Sequence, residues 1–239
     1  MNLRTRDNTI EELLDAPVAD ERLLAHNLRD IRRINRFLGW TSLAVEQVGK
    51  VVARQRLDTF SLLDVATGSA DIPVAIARWA ARQRLQASIT ATDLSEQVLA
   101  SARASCAAFP NIQLERQDAL ALGYGAQSFD LVLCCMAFHH FSPEDAPRLL
   151  AELARVARRA VIISDLSRSL PAYLGAWALT HTLMPNTLTR HDAPASVRRA
   201  YTPREVQTLA KLAGLASATV RTAFPFRQVV VWERSSHAE

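Results

Sequence analysis

One stretch constrains this chain more than any other: Ser61 to Arg78, SLLDVATGSADIPVAIAR. It reads as a buried strand (Leu62, Leu63, Asp64, Val65), a tight turn of small residues (Ala66, Thr67, Gly68, Ser69, Ala70) and a helix. A strand that enters a helix through small residues lets a ligand approach the backbone closely. The helix start adds unpaired N–H groups that suit polar atoms. Asp64 ends an apolar run, where an acid needs a partner or solvent. A G-x-G-x-x-G run is absent and only Gly68 stands among the small residues, so the stretch alone also fits an ordinary βα turn.

The pattern repeats downstream. SITATD ends at Asp93, and Leu94 precedes a helix from Ser95 and Glu96 to about Ala107. IQLERQD ends at Asp118, and Ala119 to Ser128 reads as a loop. FDLVLCCMAF is a continuous apolar run, as in a strand buried on both faces, and His139, His140 and Phe141 follow it. An amphipathic helix spans Pro143 to Arg158, and AVIISD ends at Asp165. Five alternating units predict an α/β fold with a parallel sheet and helices on both faces, whose ligands bind at the carboxyl ends of the strands. Four of those ends carry an acid (Asp64, Asp93, Asp118, Asp165) and the other carries the histidine pair. Packing alone does not explain polar residues gathered at one sheet edge.

Residues 1–58 read as an appended helical cap: Ile10 to Leu14, then Glu21 to Leu38 capped by Asp20, then Ser42 to Arg56. A dimerisation arm is the open alternative. Residues 166–202 read as an insertion, with an apolar helix from Ala172 to Leu183 and then a long loop of the kind that often carries function. A helix from Pro203 to Ala213 and two antiparallel strands close the chain.

Composition excludes some classes. The excess of 28 Lys plus Arg over 24 Asp plus Glu is small and forms no run, so no nucleic-acid partner is expected. Cys106, Cys134 and Cys135 are odd in number, and two are adjacent in an apolar strand; this predicts reduced thiols in a cytoplasmic protein. The N-terminal residues lack a signal-peptide core, and no window reaches membrane-span length, so no membrane partner is expected. Monomer and homodimer both stay open.

The series LLDVATGSAD, TATDLS, RQDALAL and FDLVLCCMAFHHF resembles class I S-adenosylmethionine-dependent methyltransferases over about Phe60 to Glu233. NLRDIRRINRFLGW and TRHDAPASVRRAYTP also resemble a bacterial subgroup associated with aromatic polyketides. The resemblance implies a Rossmann-like, seven-stranded, mostly parallel sheet with the last strand antiparallel, and a cofactor-binding domain over 59–239. S-Adenosyl-L-methionine is the implied cofactor. By position, Ala66, Thr67 and Gly68 would face its methionine part and Asp64 its ammonium group. Asp93 would accept the ribose hydroxyls, as a carboxylate with two acceptor oxygens suits, and Leu94 would cover the adenine. Asp118 and Ala119 would take the adenine amino edge, with Cys135 and Met136 under the sulfonium. Ala66 and Ala70 replace the outer two of the family's three glycines.

A hydroxyl acceptor must lose a proton as it attacks, so His140 is the favoured base, with His139 beside it and Asp165 orienting the imidazole. Trp177, Met184, Arg190 and His191 are candidate acceptor contacts. Each assignment has a plainer rival: Asp93 as a helix-capping acid, Asp118 as a turn residue, Leu94 in core packing, the histidines as strand caps. No metal is expected, because His139, His140 and His191 show no metal-ligand spacing. The expected function is methyl transfer to a hydroxyl of an aromatic or polyketide-like molecule, in natural product biosynthesis. Carbon or nitrogen methylation of a quinone-type molecule, or a non-catalytic protein with the cofactor fold, are the alternatives.

Overall fold

The structure is a computed structural model that describes residues 3–15, 20–184 and 186–235. Strands β1 (Thr59–Val65), β2 (Gln86–Asp93), β3 (Ile112–Arg116), β4 (Phe129–Cys135) and β5 (Ala157–Leu166) run parallel. With β6 (Thr219–Ala223) and β7 (Arg227–Glu233) they form one sheet in the order β3-β2-β1-β4-β5-β7-β6. β7 pairs antiparallel with both β5 and β6. The expected Rossmann-like sheet is therefore present. Its order reverses between β1 and β4, the switch point where such sheets open a crevice.

Strand periodicity divides the core. Along β4, Leu131 and Leu133 face one side, and Val132 and Cys134 the other. The first side packs against helices α2 (Trp40–Arg54), α3 (Asp71–Arg82) and α4 (Glu96–Cys106). The second packs against α5 (Asp145–Val156) and α8 (Pro203–Leu212). Asp20 caps α1 (Glu21–Phe37), Ser95 caps α4, and a reciprocal Thr202–Glu205 capping box starts α8.

Two expectations need correction. The short helix at Ile10 to Leu14 is instead a single 3-10 turn, Leu13–Asp15, tied at its N–H groups to Asp192. The loop expected after Leu183 is largely a helix, α7 (Thr187–Arg199), packed against α6 (Leu170–Leu183). Asn186 caps α7, and Pro194 sits inside it. Burial of Leu188, Ala195 and Val197 outweighs the hydrogen bond that proline removes. α7 also meets α1 and the 3-10 turn, which brings the N-terminal residues over the carboxyl ends of the strands. No helix among the described residues is long and apolar enough to cross a membrane.

Candidate active site

The first half of the site grows from the β1–α3 turn. Ala66, Gly68 and Ala70 all take left-handed backbone, with φ of 57° at each. Alanine enters this region at a cost of order 1–3 kcal/mol, so the turn is held by its surroundings. Thr67 N–H donates to the Thr92 carbonyl (2.8 Å), and Gly68 N–H donates to Asp93 Oδ2 (3.0 Å). Asp93 Oδ1 accepts the Ser95 N–H (3.0 Å). Both Asp93 oxygens thus accept backbone N–H groups, and a carboxylate with about four acceptor sites keeps further capacity. Burial pushes the Asp93 carboxyl up, against those N–H donors. The capping of α4 falls to Ser95, whose Oγ accepts from Val98.

Asp64 is buried beneath the turn, and burial pushes its carboxyl up to about 7. Leu94 is 59% exposed at the tip of β2, so it packs in no core and leaves an apolar face beside Asp93. Asp118 is exposed, with Oδ1 capping Leu120 N–H (2.9 Å), which gives its turn-residue role a geometric basis. Ala119 packs on the core beside it. Burial holds the Cys134 and Cys135 thiols well above their usual range, which makes them poor nucleophiles. Met136 follows with φ of 53°, its N–H on the Ser164 carbonyl (2.8 Å).

The second half is a cavity of about 180 Å³ beside Met136. Ile31, Ile34, Leu38 and Trp40 line it from the N-terminal helices, and Leu166 and Leu179 from the C-terminal side. Its polar wall is the histidine pair with Glu12. His139 is 2% exposed; its N–H donates to Asp165 Oδ2 (2.7 Å) and its Nδ1 meets Asp165 Oδ1 (2.7 Å). His140 Nδ1 meets Asp15 Oδ1 (2.7 Å). The imidazole that Asp165 orients is therefore His139, and Asp15 takes that role for His140. Burial would lower the His140 pKa, but Asp15 and Glu12 together raise it. Burial acts upward on Asp15, yet His140 and Arg199 hold its carboxyl well below the usual range.

The expected acceptor contacts lie just outside this cavity. Trp177 is half-exposed and stacks on His181 (4.7 Å between ring centres); Arg190 Nε donates to the Met184 carbonyl (2.7 Å). His191 Nδ1 bonds to Asp192 Oδ1 (2.9 Å). The lining comes from their neighbours Ala176, Leu179, Thr180, Thr189, Asp192 and Ser196, because α6 and α7 turn those faces inward. A larger groove of about 600 Å³ on α2 and α3 is lined by Arg36, Arg78 and Arg82 and lies away from the histidine pair.

Sequence reading singled out Asp192 beside His191 as able to touch the acceptor or close the pocket, but missed Glu12 and Asp15. Glu12 is 5% exposed and stands 3.6 Å from His139 Nε2 and 3.8 Å from His140 Nε2. No metal-ligand spacing is visible along the chain, yet the fold gathers Glu12, His139 and His140 so that one ligand atom from each lies within 4.8 Å of the others. The only sequence signal was EELLD, which is indistinguishable from a solvated acidic turn.

The fold is the one seen in solved S-adenosylmethionine-dependent methyltransferases. Residues 62–160 match the family described as a methyltransferase domain. A demethylmenaquinone methyltransferase from Deinococcus radiodurans is 38% identical over 96 residues, covering 40% of this chain and 37% of that protein. The chain thus matches little more than a third of that relative's length. An O-methyltransferase family protein from Burkholderia thailandensis superposes with a TM-score of 0.68 at 17% identity, over 92% of this chain and 61% of that one. Magnesium protoporphyrin IX methyltransferase from Synechocystis, solved with bound SAM, gives 0.58 at 17% identity, over 92% of this chain and 100% of that one.

Proposed function

We propose that the chain is an S-adenosylmethionine-dependent methyltransferase acting on a hydroxyl of an aromatic or polyketide-like small molecule. One observation carries the choice of acceptor: a cavity beside Met136, largely apolar on the side of the N-terminal helices, carries the Glu12–His139–His140 cluster in its lining. An apolar ring fits the Ile31, Ile34 and Trp40 side, and its hydroxyl then meets the cluster.

The cofactor lies across the tips of β1, β2 and β4. The backbone of Ala66 to Gly68 receives its methionine part, Asp64 its ammonium, Asp93 its ribose hydroxyls, Leu94 and Asp118 its adenine. Cofactor chemistry supplies an electrophilic methyl; the protein supplies alignment and a destination for the acceptor's proton. That destination is the cluster, whose imidazoles are fixed by Asp165 and Asp15. In this reading residues 1–58 and 166–202 are a cap that walls the acceptor off from water.

The matched segment of the menaquinone-pathway relative favours a second reading, methylation of a carbon on a quinone-type ring. Incubation with isotopically methyl-labelled cofactor and a panel of phenols and hydroquinones, followed by NMR of the product, decides. Label on oxygen is expected; label on carbon moves the chain to the second reading. Absence of transfer to every acceptor, with no demethylated cofactor formed, ends both.

A further inference from the structure

We propose that Glu12, His139 and His140 bind one divalent first-row transition ion. The three side chains come from two segments far apart in the chain and converge, one ligand atom from each within 4.8 Å of the others. His139 Nε2 lies 3.6 Å from Glu12 Oε1, and His140 Nε2 lies 3.8 Å from Glu12 Oε2. Ligand atoms on a tetrahedral ion bound at about 2.0–2.1 Å stand roughly 3.4 Å apart, so the set closes on an ion by inward movement of the side chains.

The ring orientations point the same way. Each Nδ1 meets a carboxylate oxygen at 2.7 Å, Asp165 for His139 and Asp15 for His140. With Nδ1 of each ring engaged by a carboxylate, the Nε2 edge of each ring is the one turned toward Glu12. Imidazole fixed by a carboxylate behind it is the usual support for a metal-bound histidine.

Glu12 itself lacks a neutralising bond on one side. Its Oε2 accepts from Ser196 Oγ (2.8 Å), while the buried Oε1 has no hydrogen-bond partner, with Arg199 Nη1 3.7 Å away. Around this point Glu12, Asp15, Asp165 and Asp192 outnumber the guanidinium of Arg199 and that of Arg6, which bonds to the His139 carbonyl (2.8 Å). Carboxylate oxygens and imidazole nitrogens that converge on one point are stabilised by a cation. Two imidazoles and one carboxylate suit Zn²⁺, Co²⁺ or Fe²⁺ and leave an open position, here toward the cavity. That an acceptor oxygen fills the open position rests on the methyl-transfer reading, and with the ion bound the imidazoles are ligands, so the acceptor's proton then leaves to solvent as the ion acidifies the hydroxyl; the three ligands do not rest on that reading.

The test is titration of the chelator-treated full chain with Co²⁺, followed by visible absorption, and with Zn²⁺ by calorimetry. About one ion per chain is expected, with a low-coordinate cobalt spectrum. Glu12→Gln is expected to lose binding, and Asp15→Asn, which keeps all three ligands, to weaken it at least about tenfold. Circular dichroism identifies any variant that fails to fold, in which case the other variant decides. Substoichiometric binding by the unaltered chain, or unchanged affinity in a folded variant, overturns the site. No cofactor is needed in the titration, so failure here and failure of cofactor binding are read separately.

Discussion

The rim of βα turns proposed for the cofactor and the histidine-lined chamber proposed for the acceptor meet at Met136 but are assembled in opposite ways. The rim is local. Its polar groups sit in or next to single βα turns, and the first two units are joined by Thr67 N–H to the Thr92 carbonyl, Gly68 N–H to Asp93 and Thr92 Oγ1 to the Asp64 carbonyl. The chamber is distributed: Glu12 and Asp15 from the N-terminal segment, His139 and His140 after β4, Asp165 on β5, Asp192 and Arg199 on α7. A rim built by the sheet itself keeps its shape in any chain that closes the sheet. A chamber built by remote segments is free to vary with the acceptor.

If that division is sound, each half fails alone. His140→Ala is expected to lower turnover by about 10²–10⁴. Cofactor affinity, read by calorimetry, should stay within about twofold. A matching loss of affinity would mean the halves are one site. Asp93→Ala should weaken cofactor binding about a hundredfold through two lost charged hydrogen bonds, with acceptor KM little changed.

The smallest effect is a pH dependence that belongs to the rim. Asp64 stands near 7 in the free protein, raised from 3.8 by burial. Between those values the folded chain holds a proton that the unfolded chain has lost, so this group's contribution to stability falls as pH rises through that window. If the cofactor's ammonium restores the charge, its affinity moves the other way. It should rise up to about tenfold per pH unit toward 7 and level above it. Calorimetry in buffers of different ionisation enthalpy would show a proton released on binding; affinity flat from pH 5 to about 8 would remove Asp64 from the rim.

The same division set what could be read from sequence. Strand ends, the small-residue turn and the cap residues Asp20, Ser95 and Thr202 are short-range features, and the structure holds them where periodicity placed them. α7 was read as loop because TLTRHDAPASVRR has poor helix propensity and an internal proline; only burial against α1 and α6 makes it helical. Asp165 was assigned to His140, since along the chain the two histidines are equivalent; the 3-10 turn Phe138–His140 sends one ring inward and the other toward the N-terminal segment. Glu12 was out of reach, because nothing near it in sequence shares its job.

Arg6 Nη2 donates to the carbonyls of His139 and Phe141, and Asp7 pairs with Arg198. These rivets hold the same short segment that carries Glu12. Any event that peels the segment away therefore withdraws an acid from the histidines as it breaches the wall. In this molecule, shutting the door and arming the chemistry are a single movement.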